Sequence, residues 1–221
     1  MNDFAKPPPA PRKRRLRRDA IRNEKQLVAA VGTLLREAPA MATMQAVAEQ
    51  AGLSLATAYR YFPTLDALNR RFMLSVIEEL QQATADLHST GTERFKDILR
   101  LWLDVLREYG PAMVHVSSRE GFLTRLEAGE KHTNAIKAVW GSAISQMLDE
   151  EGISQRRLAF ALGIFNSLVN SREILDLRAT TSMTDEQLVS HLTAVYRGAI
   201  GGLGLDLYGT QHEPSSTARL V

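Results

Sequence analysis

The chain of 221 residues contains no cysteine. That absence excludes a disulfide framework, a thiolate zinc site and a cysteine nucleophile, and it fits a reducing compartment. Long apolar runs are missing as well. None approaches the roughly 18 to 20 residues that span a bilayer, and no apolar signal core follows the basic N-terminus. The expected location is therefore cytoplasmic, with no membrane partner. Proline is scarce beyond the start of the chain, where Pro7, Pro8, Pro9 and Pro11 cluster. No stretch alternates apolar and polar residues with period two, so the expected fold class is all-α.

Catalytic signatures are missing too. His88, His115, His132, His191 and His212 are scattered, without metal-ligand spacing. There is no GxSxG elbow and no phosphate-cradling glycine loop after a strand. The glycine-rich "GAIGGLGLDLYG" follows a helical pattern and reads as a fraying tail or hinge. Glu78/Glu79 and Glu150/Glu151 are sequence neighbours, so on a helix they diverge into solvent. These gaps argue against an enzyme, a bound metal and a cofactor.

What the chain does have is a lopsided charge. Residues 1–18 carry Lys6, Arg12, Lys13, Arg14, Arg15, Arg17 and Arg18 against Asp3 alone, a net of +6. The whole chain sums to +2, so the remainder is acidic at −4. An acidic body with a basic arm points to an anionic partner near the N-terminus, nucleic acid first. The proline and like-charge content predicts an extended, disordered arm over 1–18.

Helical periodicity begins at Asp19. Leu27, Val28, Val31, Leu34 and Leu35 predict a helix over 19–37, ended by Pro39. Thr43 is placed to cap a short helix over 44–50, Gly52 to make a tight turn, and Ser54 to cap a second short helix over 54–61. Ala48, Ala51, Gly52 and Ala58 are small enough for two helices to cross closely, the requirement of a helix-turn-helix. The second helix carries Thr57, Tyr59, Arg60 and Tyr61 within about 12 Å of axis. A hydroxyl, a guanidinium and two phenols suit phosphates and base edges, and Leu55 and Ala56 suit thymine methyls.

The stretch "TMQAVAEQAGLSLATAYRYFPTLDALNRRFM", 43–73, resembles the N-terminal domain of the tetracycline-repressor (TetR) family of transcriptional regulators. The resemblance rests on Thr43, Val47, Ala48, Ala51, Gly52, Leu53, Ser54, Thr57, Tyr59, Phe62 and Leu68. With the preceding helix it covers about 55 residues. It implies a recognition helix in the major groove, with Leu55, Ala56 and Thr57 facing bases and Tyr59 and Tyr61 holding phosphates. Gln45 and Thr43 match positions that approach DNA. Two departures stand out: Leu65 occupies a position usually basic in the family, and Pro39 sits in a loop that often carries glycine. The arginine-rich arm (Arg14, Arg15, Arg17 and Arg18) is expected to compensate along the DNA backbone or minor groove.

Beyond residue 70 the expected helices are 95–109, stopped by "YGP", then 131–150, 154–178 and 185–200, with a short irregular stretch over 112–128. The organisation expected is an arm over 1–18, a three-helix DNA-binding domain over 19–70, a helical ligand-binding and dimerisation domain over 71–205, and a frayed tail over 206–221. The 154–178 helix is apolar around most of its girth and is expected to pair with 185–200 in a four-helix homodimer interface. Candidate lining residues for a small-molecule effector are Trp102, Tyr109, Met113, His115, Phe122, Trp140, Phe165, Asn166 and Asn170. The expected function is a homodimeric repressor that binds a pseudo-palindromic operator in double-stranded DNA and is released by an effector. A helical adaptor with a basic nucleic-acid-binding arm, or a small helical enzyme, remain the alternative classes.

Overall fold

A computed structural model describes residues 11–113 and 120–204. Every regular element among them is helical, with no strand. The elements are α1 (Pro11–Glu37), α2 (Met44–Gln50), α3 (Leu55–Tyr61), α4 (Leu65–Ala83), α5 (Gly91–Met113), α6 (Phe122–Glu127), α7 (Lys131–Glu150), α8 (Leu158–Leu168), α9 (Ser171–Thr180) and α10 (Asp185–Gly201). They form two compact units. The first comprises residues up to Leu80 together with Asp104–Arg119; the second comprises Gln81–Leu103 and the chain from Glu120 onward.

In the first unit the i, i+4 series Leu27, Val31, Leu35 forms the buried seam of α1. Met44, Val47 and Ala48 of α2 and Ala58 of α3 are also buried, and α4 contributes Leu68, Phe72, Val76 and Leu80. The short helices α2 and α3 have the expected positions. The first helix does not begin where expected: it starts at Pro11, whereas an extended arm was expected through residue 18. Proline at a first helical position costs no hydrogen bond, and Arg, Lys and Leu are strong helix formers, so the run can join α1. Residues 1–10 of the expected arm lie outside the described residues.

The second unit is organised around rings. Phe95 of α5 stacks on Tyr196 of α10 with centroids 4.9 Å apart, and meets Trp140 of α7 edge-on at 5.3 Å. Phe165 of α8 closes the cluster, 4.3 Å from Trp140. Offset and edge-to-face contacts of this kind add to the burial energy of the rings. Tyr196 is fully buried, yet its hydroxyl is satisfied: it donates to the Ala161 carbonyl at 3.0 Å. The start of α5 is held by α7. The Gly91 amide donates to Gln146 Oε1 at 2.6 Å, and the Thr92 amide and hydroxyl both donate to the Glu150 carboxylate. A Cβ on Gly91 would fall 1.7 Å from Glu150 Oε1, and its φ of +52° disfavours other residues.

Two expected helix ends are corrected. The α5 helix runs through Gly110 and Pro111 to Met113, because proline in a last turn forfeits only one ladder hydrogen bond. The expected single helix over 154–178 is three pieces: a 3₁₀ turn (Gln155–Arg157), α8 and α9. The break falls at Val169–Asn170, where the Asn170 side chain accepts from the Glu173 amide at 3.1 Å and starts a new helix. The expected tail 206–221 lies outside the described residues. None of the described helices is long and apolar enough to cross a membrane.

Asn170→Ala is expected to lower unfolding stability by about 1 kcal/mol, the usual worth of such a cap. Urea denaturation at fixed protein concentration reads it, and an unchanged midpoint would show that the break between α8 and α9 does not depend on the asparagine.

Candidate nucleic-acid interface

Both short helices begin on a side-chain cap. The Ala46 amide donates to Thr43 Oγ1 at 3.2 Å, and the Thr57 amide donates to Ser54 Oγ at 3.2 Å. Each cap satisfies a backbone donor that a seven-residue helix can ill spare. Between them Gly52 takes a φ of +66°, which turns the chain in the space of one residue. The Leu53 amide closes the turn on the Ala48 carbonyl at 2.9 Å.

The orientation of α3 follows from one buried position. Ala58 has no exposed surface, so the opposite face of the helix points to solvent. Leu55 is 39% exposed and Tyr59 49%, and Ser54, Ala56 and Arg60 are exposed as well. Leu55 and Tyr59 lie one above the other at i, i+4. Together they put one aliphatic and one aromatic side chain on the solvent side of α3.

Thr57 and Tyr61 differ from the rest. Thr57 is half-buried, with its hydroxyl 2.8 Å from Ser54 Oγ. Tyr61 is half-buried too: its hydroxyl accepts from Asn23 Nδ2 of α1 at 3.4 Å, and the Arg60 guanidinium lies 5.4 Å from its ring centre. The Tyr61 O–H is still available to donate. Asn23 was not among the residues singled out from the sequence. Nothing local marks it, because its relevance comes from a residue 38 positions away.

Thr43 and Gln45 are exposed on α2, and Gln45 Nε2 donates to Glu49 Oε1 at 3.1 Å. Leu65 is half-buried at the start of α4, where Thr64 caps the Ala67 amide and Asp66 pairs with Arg70. Arg14, Arg15, Arg17 and Arg18 fall within the first turns of α1, and Arg18 is exposed.

The described residues among the expected effector contacts divide between the two units. Trp140 and Phe165 belong to the aromatic core of the second unit. Trp102 and Phe122 are buried in the same unit, and the Trp102 indole N–H has no hydrogen-bond partner among the described residues. Asn166 is half-buried on α8, and Asn170 is the cap described above. Met113 and Tyr109 fall instead in the first unit, and His115 lies outside the described residues. Tyr109 borders a cleft of about 420 Å³ with Phe72, Gly32 and Arg36. Its ring meets Phe72 edge-on at 5.5 Å and lies under the Arg36 guanidinium at 5.3 Å. Burial, reinforced by Glu108, raises the pKa of the Tyr109 hydroxyl to about 12, so it is a neutral donor at all physiological pH. Burial and the nearby Arg125 push the His132 imidazole below its usual range. Among the described residues no group of three or more His, Asp or Glu could hold a metal ion.

The sequence matches no protein-family model and no curated protein. Solved structures do match the fold. A TetR-family transcriptional regulator from Streptomyces coelicolor superposes with a TM-score of 0.54 over 81% of this chain and 82% of its own, at 18% identity. A protein from Pseudomonas aeruginosa PAO1 assigned as a transcriptional regulator superposes with a TM-score of 0.55 over 81% of this chain and 90% of its own, at 16% identity. The chain therefore has the all-α fold found in TetR-family regulators.

Gly52→Ala is expected to cost about 1 kcal/mol, since an alanine would be forced into the left-handed region. No atom lies within 4 Å of the added Cβ, so the cost is conformational and thermal denaturation would report it without a steric term. An alanine variant as stable as the parent would mean that the turn relaxes to a different shape.

Proposed function

We propose that the chain is a homodimeric, sequence-specific DNA-binding transcriptional regulator that acts as a repressor and releases DNA when a small molecule binds. One observation carries the reading. The second helix of a capped helix-turn-helix presents Leu55, Ala56, Tyr59 and Arg60 to solvent. An ordinary helical corner would expose Glu and Lys there. The fold shared with TetR-family regulators supports the same reading.

In this reading α3 enters the major groove. Leu55, Ala56 and Thr57 face base edges, with Arg60 in reach of a guanine or a phosphate. Tyr59 donates to a phosphate from an exposed position, and Tyr61 does so from its seat against Asn23. Thr43 and Ser54 hold the two helix starts toward the same surface, beside Gln45. Arg14, Arg15, Arg17 and Arg18 supply the ionic contacts that Leu65 cannot.

Two copies are needed because one seven-residue helix reads only a few base pairs. The apolar surface left open in the second unit supports a dimer through α8 and α10. Phe160 of the strongly apolar α8 is 52% exposed and Val195 of α10 is 40% exposed. An effector that favours one arrangement of the two copies shifts the population away from the spacing the operator demands. No catalytic step is assigned to the chain, and it acts without a cofactor, in the cytoplasm.

Gel-shift with the DNA flanking the protein's own gene tests the reading, and a failure to select any sequence would sink it. Tyr59→Phe is expected to weaken binding by about 1 kcal/mol, equally for all DNA sequences, as removal of one phosphate hydrogen bond requires. A changed base preference would reassign Tyr59 to base reading. Phe160→Asp is expected to shift the chain from dimer to monomer in sedimentation velocity, with the helical circular dichroism retained. A persistent dimer would place the interface elsewhere.

A further inference from the structure

The helix α1 is 27 residues long, about 40 Å, far longer than its buried seam of Leu27, Val31 and Leu35 requires. At Asn23 it touches Tyr61, the last residue of α3. From Asn23 back to Pro11 the helix continues for about 18 Å. That part of the helix contains Arg12, Lys13, Arg14, Arg15, Arg17 and Arg18, with no acidic residue before Asp19. Arg18 and Lys25 are exposed on the same helix, and Arg22 between them pairs with Asp19 at 3.7 Å.

Such a segment is electrostatically unfavourable as an isolated helix. Lys13 and Arg17, and Arg14 and Arg18, are like charges at i, i+4. Positive charge at a helix N-terminus also opposes the backbone dipole. A polyanion along the helix relieves both penalties at once. Duplex DNA supplies one, with a phosphate every 3.4 Å or so along each strand.

We propose that residues 11–22 form a rigid helical outrigger that lies along phosphates outside the half-site read by α3, and that helical order there is required for the contact. This rests on the DNA-binding reading above and adds a partner surface, duplex flanking the recognised sequence. At about 18 Å, the outrigger reaches about five further base pairs. A flexible basic tail would hold no fixed set of phosphates and would have no defined reach.

The distinguishing experiment keeps every charge. Leu16→Pro breaks the helix inside the basic run, and Leu16→Ala preserves it. Both full-length variants and the parent are footprinted on the DNA flanking the protein's own gene, and affinities are measured across a salt series. The parent and Leu16→Ala are expected to protect the same outer base pairs. Leu16→Pro restarts the helix at 16 and is expected to lose about two base pairs of protection at each outer edge, the span of 11–15, while the central protection remains. Its salt slope should fall by about 0.9 for every phosphate it no longer neutralises. Identical footprints and slopes for Leu16→Pro and Leu16→Ala would overturn the outrigger while leaving α3 recognition intact. Absence of protection by the parent itself would overturn the DNA-binding reading, and the outrigger with it.

Discussion

Ala58 is the position on which the candidate interface depends. It is the one buried residue of a helix only seven residues long, so its packing against the core sets the rotation of α3 about its own axis. With a methyl group there, α3 can approach α2 closely enough for the Gly52 turn to close. A larger side chain would push the helix outward and turn Leu55 and Tyr59 away from a shared plane. The two caps act on the same problem from the helix ends, since a helix this short gains little from its own ladder and leans on capping and packing.

The second unit solves a different problem with different residues. Its core is a ring cluster that joins α5, α7, α8 and α10 through Phe95, Trp140, Phe165 and Tyr196. The rings lie close against one another, which makes the cluster a structural keystone more than a lining for a guest. The buried Tyr196 hydroxyl ties α10 to α8 through the Ala161 carbonyl, so the two helices proposed to meet a second copy are joined by a buried hydrogen bond.

Basic charge and its scaffold are linked in the same economical way. The body is acidic, and a body of that sign repels DNA unless cations are held in front of it. The basic segment continues the same helix that meets the end of α3 at Asn23. Leu65, half-buried at the start of α4, is consistent with an ionic contact moved from one element to another.

Much of this was legible in the sequence, and the reasons are local. Caps, tight turns and small residues at a helix crossing work over a few positions, so Thr43, Gly52, Ser54 and Ala58 located α2 and α3 by themselves. Periodic apolar residues did the same for α7 and α10. The helical state of residues 11–18 was not legible, because composition argued for extension while continuity with a packed helix decided otherwise. The Asn170 break was visible in principle, as an asparagine three residues before Glu173, but the unbroken apolar run around it masked the signal. Partnerships between distant residues were closed to sequence reasoning altogether. Asn23 with Tyr61, Glu150 with Gly91 and Tyr196 with Ala161 each join segments whose meeting depends on the whole fold. So the amino-acid order determined the helix class, the helix-turn-helix and the charged arm, through interactions a few residues in range. Tertiary packing alone decided which tyrosine is exposed and which aromatic residues form the core, because those outcomes depend on what is brought alongside.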